Sequence, residues 1–588
     1  MLPGPTHEPG TRRARTEELS RRLAVARGEE AADLVLTGGR VFSVFTNEFL
    51  EVDVAISGGH VAGLGRYEGT ETVDVEGGIL VPGFIDGHLH VESTKLVPDQ
   101  FARAVLPHGT TTAVIDPHEI ANVLGLAGVR ELLRRIDDVP IDVFVMVSSC
   151  VPASRFESSG ATVTPEEIAA FLREEPRALG VAEMMDFPGV ARGDPVALAK
   201  IEAAYDAGDR HIDGHAPGLS GPALNAYVAA GPASDHECTT QEEALEKRRL
   251  GMWIMLREGS AARNLEALLP LVRDHGPRNC LLCTDDREPN DLRDEGHMDA
   301  VLRRAVALGC PAEDALVMAT LHAARYHRLH RYGAIAPGSL ADIVLLDDLQ
   351  RFAPARVWKR GLLVAEDGRA LEIGSPPPMP DWMRGTVHVP ELTTEDFAVP
   401  AADRVRVIGV RPGQIVTDAL EDDALVRGGR SVADPDRDLA KLAVVERHAK
   451  TGRIGVGFAR GFGIRRGALA STHAHDAHNI VALGVDDEDM AVAVRRLAEI
   501  GGGQVAVAHG DVLAELPCPI GGLLTELVFE EVADRFDLLE SSARELGVTL
   551  RAPFMAMSFL ALSVIGDLKL TDHGLLDTVR FELVPVVL

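Results

Sequence analysis

The chain has 588 residues, 46% of them hydrophobic and 25% charged, a balance that excludes disorder over most of its length and allows several folded units. Lysine and arginine total 59 against 89 for aspartate and glutamate, a formal charge of −30; such a field repels polyanions and speaks against nucleic acid and anionic membrane as partners. Six cysteines in so long a chain form no disulfide framework, and the cytoplasm is the expected compartment.

Residues 1–30 form a charged leader with Arg12, Arg13, Arg15, Glu17, Glu18, Arg21 and Arg22 and no apolar core, unlike a secretory signal. Residues 31–78 are β-rich: VLTGGRVFSV and DVAISGGHVAGLG alternate apolar residues with glycine turns. A similar pattern returns over 336–373, at Ala341–Leu345 and around Gly361–Val364, so the two pieces are expected to pair as one composite β domain. Between them, over 79–335, short apolar runs are each followed by a polar turn and a helical stretch. The runs are Ile79–Ile85, Thr111–Ile115, Asp142–Val147, Leu179–Ala182, His211–Asp213, Pro232–Ser234, Gly251–Leu256 and Cys280–Thr284, the fifth and sixth weak as strands on composition. This predicts an α/β fold, a (β/α)8 TIM-type barrel with its chemistry at the C-terminal strand ends. Residues 374–403, with Pro376, Pro377, Pro378, Pro380, Pro390 and Pro400, read as a linker. Residues 404–588 mix strand-like Gln504–Val507 with helical Asp487–Ile500 and are expected to form an additional C-terminal α+β domain. The longest apolar stretch, Pro553–Gly566, is broken by Ser558 and Ser563 and falls short of the ~20 residues a membrane span needs.

The first run ends VPGFIDGHLH, and the two-residue period of a strand projects His88 and His90 to one side with Asp86 behind them. Glu183 follows the fourth run, His215 the fifth, His236 the sixth and Asp285 the eighth. Singly, each has a plainer reading: a solvated turn carboxylate, a turn histidine, a helix cap. Together, four histidines and two carboxylates in a low-dielectric mouth are costly unless paired or metal-bound.

The order H-x-H, acidic residue, His, His, Asp on strands 1, 4, 5, 6 and 8 resembles the amidohydrolase superfamily of metal-dependent hydrolases. A closer resemblance is to the bacterial adenine deaminase family. It rests on PGFIDGHLHVES, FARAVLPHGTTTAVIDPHEIANVLG, VAEMMDFPGV, DGHAPGLSG, SDHE and TDDREPNDLRDEGHMD, and beyond these on GRIGVGFARGFGIRRGALASTHAHDAHN and FMAMSFLALSVIGDLKLTDHGL, from about residue 30 to the end. The chain departs from that pattern at Glu288, where a histidine is expected, and at His473, where an apolar residue is expected.

The resemblance implies hydrolytic deamination of adenine to hypoxanthine and ammonia, in purine salvage, at a binuclear metal centre. His88, His90 and Asp285 would hold one ion and His215 and His236 the other, with Glu183 as the bridge where many relatives use a carboxylated lysine. It tilts the two divalent ions to manganese or iron(II); imidazole and carboxylate donors suit zinc as well. Asp285 would move the proton, and His118 and Glu119 would contact the purine or donate a proton. Glu92 and Ser93 stand as neighbours of the site or as a helix cap, and His473, His475 and His478 as a further metal site or a cover over the barrel mouth. Cys280 and Cys283 are expected to pack within the eighth strand. The expected partner is the small-molecule purine, with homo-oligomerisation. The competing enzymatic reading is another amidohydrolase reaction, such as cyclic amide hydrolysis; the competing reading from another class is a silent metal-binding barrel.

Overall fold

A computed structural model describes residues 12–374 and 376–588. Of the leader, residues 1–11 lie outside the described residues, as does position 375 in the linker stretch. The rest of the leader opens with a helix, Arg12–Ala26, charged along most of its surface. It is tethered at its end, where Val25 is buried and the Tyr67 hydroxyl donates to the Ala26 carbonyl at 3.1 Å.

The two β-rich pieces share a seven-stranded sheet in the order Arg369–Ala370, Leu362–Glu366, Pro354–Lys359, Ile343–Leu346, Ile79–Pro82, Arg40–Ser43, Glu48–Leu50. It faces a four-stranded sheet built from Ala32–Thr37, Asp53–Ser57, His60–Gly65 and Gly69–Asp74. Leu36, Val54, Ile56, Leu80, Ile343 and Trp358 fill the space between. The run Ile79–Ile85 is therefore two strands. Pro82 cannot donate to a continued ladder, and a Cβ at Gly83 would meet Thr111 Oγ1 at 2.2 Å. Ile79–Pro82 stays with the mixed sheet, and the next strand starts at Phe84.

That strand, β1 (Phe84–Leu89), begins a parallel series: β2 (Thr110–Ile115), β3 (Asp142–Val147), β4 (Ala178–Met184), β5 (His211–Gly214), β6 (Ser234–Asp235), β7 (Trp253–Arg257) and β8 (Cys280–Cys283). The first five form one parallel sheet and the last three another. The Ala233 N–H donates to the Ile212 carbonyl at 2.9 Å between β5 and β6. Across the other gap, a parallel bridge joins Leu89 to Asp285. The result is an α/β fold around a curled parallel sheet. Alternation sets its two faces: Ile85, Val114, Phe144, Met146, Met255, Leu281 and Cys283 point inward, while Ala113, Ile115, Val143, Val145, Ile254, Cys280 and Leu282 pack against the outer helices. Strands covered on both sides read as near-continuous apolar runs, so a charged side chain ending a run marks the open end of the sheet.

Beyond residue 403, an eight-stranded sheet runs in the order Thr417–Asp423, Arg404–Val410, Ile454–Arg460, Leu439–Val445, Ile480–Gly484, Ala468–Ser471, Gly503–Ala508, Asp511–Pro517. The helix Asp487–Ile500 covers one face with Met490, Val494 and Leu497. Its start is fixed by Asp486, whose carboxylate accepts from the Glu488 and Asp489 N–H groups, and its end by Gly501 at φ +80°. A second helix, Phe529–Glu545, docks on the β8 side of the curled sheet: Arg293 pairs with Asp534 and Asp537, and Arg103 with Glu530. Among the described residues no helix is long and apolar enough to cross a membrane.

Candidate metal centre

The six side chains singled out at the strand ends meet in one buried cluster, each at most 3% exposed. His88 is the penultimate residue of β1 and His90 follows two residues later, past a register shift between Asp86 and Leu89, and both rings reach the same two carboxylates. The Nε2 atoms of His88 and His90 each lie 3.1 Å from Glu183 Oε1, and 3.4 and 3.2 Å from Asp285 Oδ1. The second oxygen of Glu183 faces the other histidine pair, 2.5 Å from His215 Nδ1 and 3.6 Å from His236 Nε2. One carboxylate thus stands between two imidazole pairs, with an oxygen toward each.

Backbone geometry fixes this arrangement. Asp285 sits at φ +60°, a left-handed conformation aspartate tolerates better than most residues. It is held there by its N–H to the His88 carbonyl (3.0 Å) and the His90 N–H to its own carbonyl (3.1 Å). His90 Nδ1 donates to the Asp116 carbonyl at 2.8 Å, which leaves the Nε2 lone pair facing the cluster. The His215 N–H donates to the Tyr227 hydroxyl at 3.0 Å, and that hydroxyl donates to the Met184 carbonyl at 2.9 Å.

The donor set fits divalent cations. His88 Nε2 and Glu183 Oε1 face each other, buried, with no hydrogen-bond partner, a condition that costs ~1–3 kcal/mol per neutral group and more for a charged one and that a shared cation removes. Without thiolates, the set favours borderline or hard ions. Burial opposes charge on His88, yet Asp285 and Glu183 beside it raise its imidazole to about 10. Against burial, His236 and His215 hold Glu183 well below the carboxylate range, and Arg257 does the same for Asp285. The cluster therefore presents ionised oxygens and imidazoles drawn toward positive charge.

Residues 79–364 match the amidohydrolase family and residues 414–582 match the adenine deaminase C-terminal domain. Over 96% of its length the chain is 48% identical to adenine deaminase 2 of Carboxydothermus hydrogenoformans, covering 99% of that protein. It is 46% identical to the adenine deaminase of Desulfatibacillum aliphaticivorans and 47% identical to that of Cereibacter sphaeroides, over 96% of this chain and 98% and 99% of theirs. The chain belongs to the adenine deaminase family.

Two residues of this family member's cluster escape sequence reasoning. Arg257 closes β7 and clamps Glu237 through two contacts of 2.6 Å while a third, also 2.6 Å, reaches Asp285 Oδ2. Glu237 in turn lies 3.4 Å from His236 Nε2. The available signals were a charge ending the apolar run WIMLR and the acid after histidine in SDHE. Asp86 accepts from the Thr284 N–H and hydroxyl and from the His88 backbone N–H, and burial raises its carboxyl to about 6.

His118 and Glu119 open the helix His118–Arg135 just beyond β2. The His118 ring meets His90 edge-on at 4.6 Å and lies between two carboxylates, Nδ1 3.2 Å from Asp116 Oδ2 and Nε2 3.4 Å from Asp476 Oδ1. Ser93 Oγ lies 3.2 Å from Glu119 Oε1 and donates to Asp286 at 2.5 Å. Glu92 accepts the Ile120 N–H at 3.0 Å in the first turn of that helix, and burial with Glu119 nearby raises its carboxyl to about 8. Glu288 precedes the helix Pro289–Asp294, fully buried, with one oxygen unpartnered and no hydrogen bond or ion pair to the six. His473 Nε2 donates to the Leu523 carbonyl at 2.9 Å. Cys280 and Cys283 are free, buried thiols of β8.

Proposed function

We propose that the chain deaminates adenine hydrolytically, giving hypoxanthine and ammonia, at a centre that takes two divalent ions, manganese or iron(II), with zinc also compatible. The observation that carries this reading is Glu183 with one oxygen toward His88 and His90 and the other toward His215 and His236, in a chain 48% identical to an adenine deaminase over 96% of its length. His88, His90 and Asp285 would hold one ion, His215 and His236 the other, and Glu183 both. When bound, the ions supply the Lewis acidity that makes hydroxide available near neutral pH.

The remaining work falls to the side chains. Asp285 Oδ2 is taken by Arg257 at 2.6 Å, which keeps the carboxylate ionised and leaves Oδ1 on the histidine side. Asp285 accepts the proton of the attacking water there and passes it toward the departing amine, an exchange worth about 10²–10⁴-fold in rate for a positioned general base. His118, braced by Asp116 and Asp476, and Glu119 hold the purine or supply its ring proton. Glu237 and Arg257 orient His236 and Asp285 without touching substrate. The curled sheet is read as a closed (β/α)8 barrel, supported by the Ala233–Ile212 hydrogen bond on one side and the Leu89–Asp285 bridge on the other. The composite β domain (31–78 and 336–373), the linker (374–403) and the C-terminal α+β domain (404–588) are read as companions to it. Hypoxanthine as product suits a role in purine salvage, and the enzyme is read as a homo-oligomer.

Ammonia release from adenine, set against ring opening of hydantoin and dihydrouracil, tests the reading. Activity on adenine with none on the cyclic amides is expected. Inertness toward adenine with activity on a cyclic amide would overturn it.

A further inference from the structure

The loop 472–479, between strands Ala468–Ser471 and Ile480–Gly484, carries three of the chain's buried histidines to the open end of the curled sheet. Asn479 Nδ2 donates to the Ser158 carbonyl at 2.8 Å, and Asp476 meets His118. Glu119, His475 and His478 stand close enough for a third cation, but His478 argues against one. Its Nδ1 accepts the Ala474 N–H at 3.2 Å, so in the neutral ring the proton resides on Nε2, the atom that faces Glu119 Oε2 at 3.7 Å. A ring so protonated points its N–H at Glu119 without closing a hydrogen bond and offers no lone pair to a metal.

His475 is held differently. Its N–H donates to Ser558 Oγ at 3.1 Å, and its ring stacks on Phe559 at 5.0 Å with planes 21° apart. This fixes the ring plane and aims Nε2 at Glu119 Oε1 and Asp286 Oδ1, each 4.0 Å away. Those separations are too long for hydrogen bonds within the protein. They leave two acceptors and one imidazole nitrogen facing one another next to Asp285. The single hydroxyl proton of Ser93 goes to Asp286, so Glu119 Oε1 keeps accepting capacity. Cys150, Met185, Met555 and Phe559 belong to one apolar cluster bordering this region, the apolar flank a flat heteroaromatic ring needs while its edge is read by polar atoms.

We propose that His475, carried by the C-terminal region, is a specificity-determining residue of the purine site: with Glu119 and Asp286 it takes the ring N–H edge of the free base. The ring N–H donates to a carboxylate, and a neighbouring ring nitrogen pairs with the imidazole. This rests on the adenine reading above and extends it by naming the C-terminal side chain that reads the ring N–H.

The test is steady-state kinetics on adenine for the wild type, His475→Leu and His475→Gln, with metal content and melting temperature measured on each. The expected result for His475→Leu is a KM raised ~10-fold or more, as for a lost hydrogen bond of ~1.4 kcal/mol. Its kcat should stay within about threefold, with metal content and melting temperature unchanged, and His475→Gln should recover most of the KM. An unchanged KM, a fall in kcat alone, or loss of metal or melting temperature in both variants overturns the proposal. These outcomes leave the adenine reading standing, provided the wild type releases ammonia. A wild type inert on adenine sinks that reading and this one together.

Discussion

Glu288 offers a quantitative check on the electrostatics of this fold. Its side chain is 1% exposed with Oε1 unpartnered. Burial raises its carboxyl to about 8 against an ordinary value of 4.5; Lys95 opposes the rise, while Glu540, Asp291 and Asp286 add to it. A carboxyl raised on folding is fully compatible with the folded state below the unfolded value, and that stability is lost as pH climbs through the folded one. Between about pH 4.5 and 8 each unit costs the folded protein ~1.4 kcal/mol, hence ~3 kcal/mol at neutrality and ~5 kcal/mol above pH 8. Glu288→Gln keeps the shape and removes the ionisation. The urea midpoints of the two proteins should nearly coincide at about pH 5, separate in favour of the variant at pH 7, and separate further at pH 9. A difference independent of pH, or a variant less stable at high pH, would refute the reasoning.

Other consequences follow from the same lattice of charges. Asp285→Asn should leave far-ultraviolet circular dichroism intact while lowering kcat on adenine by about 10²-fold or more; near-normal turnover would place the proton shuttle elsewhere. Arg257→Gln strands Glu237 and Asp285, now clamped at 2.6 Å, and should destabilise the metal-free protein by about 3–5 kcal/mol in urea titration. Much of that loss should return on adding manganese, because an ion beside Asp285 supplies the missing positive charge. Lys247, buried between Asp235 at 2.5 Å and Glu243 at 2.6 Å, predicts a comparable loss for Lys247→Met in the same titration, unrelieved by metal.

The parts of the site that sequence could reach are those where one short segment carries the pattern. His88 and His90 are legible because a strand repeats every two residues, and Glu183 and Asp285 because each is a polar residue ending an apolar run, while His215 and His236 follow runs that are weak in composition. Where a run is short the signal fades: β5 has four residues and β6 two, their place set by neighbours rather than by composition. Ile79–Ile85 misleads for the opposite reason, since one apolar run serves two sheets and the break at Gly83 is imposed by Thr111 from another strand. Arg257 and Glu237 stand 20 residues apart, and only the folded sheet turns them into a pair. His475 lies further still from Glu119, so nothing local announces that the C-terminal sheet sends a loop to the mouth. A helix such as Asp487–Ile500, with its own cap, stop and apolar stripe, needs no such partner to be read.

The central claim is that six buried side chains hold two cations joined by Glu183. Its most direct test is to strip the protein with a chelator and titrate manganese back while following ammonia release from adenine. The account predicts no activity in the stripped protein, a linear return that breaks at two equivalents per chain, and loss of that stoichiometry in Glu183→Gln. Full activity at one equivalent, or without metal, would contradict it.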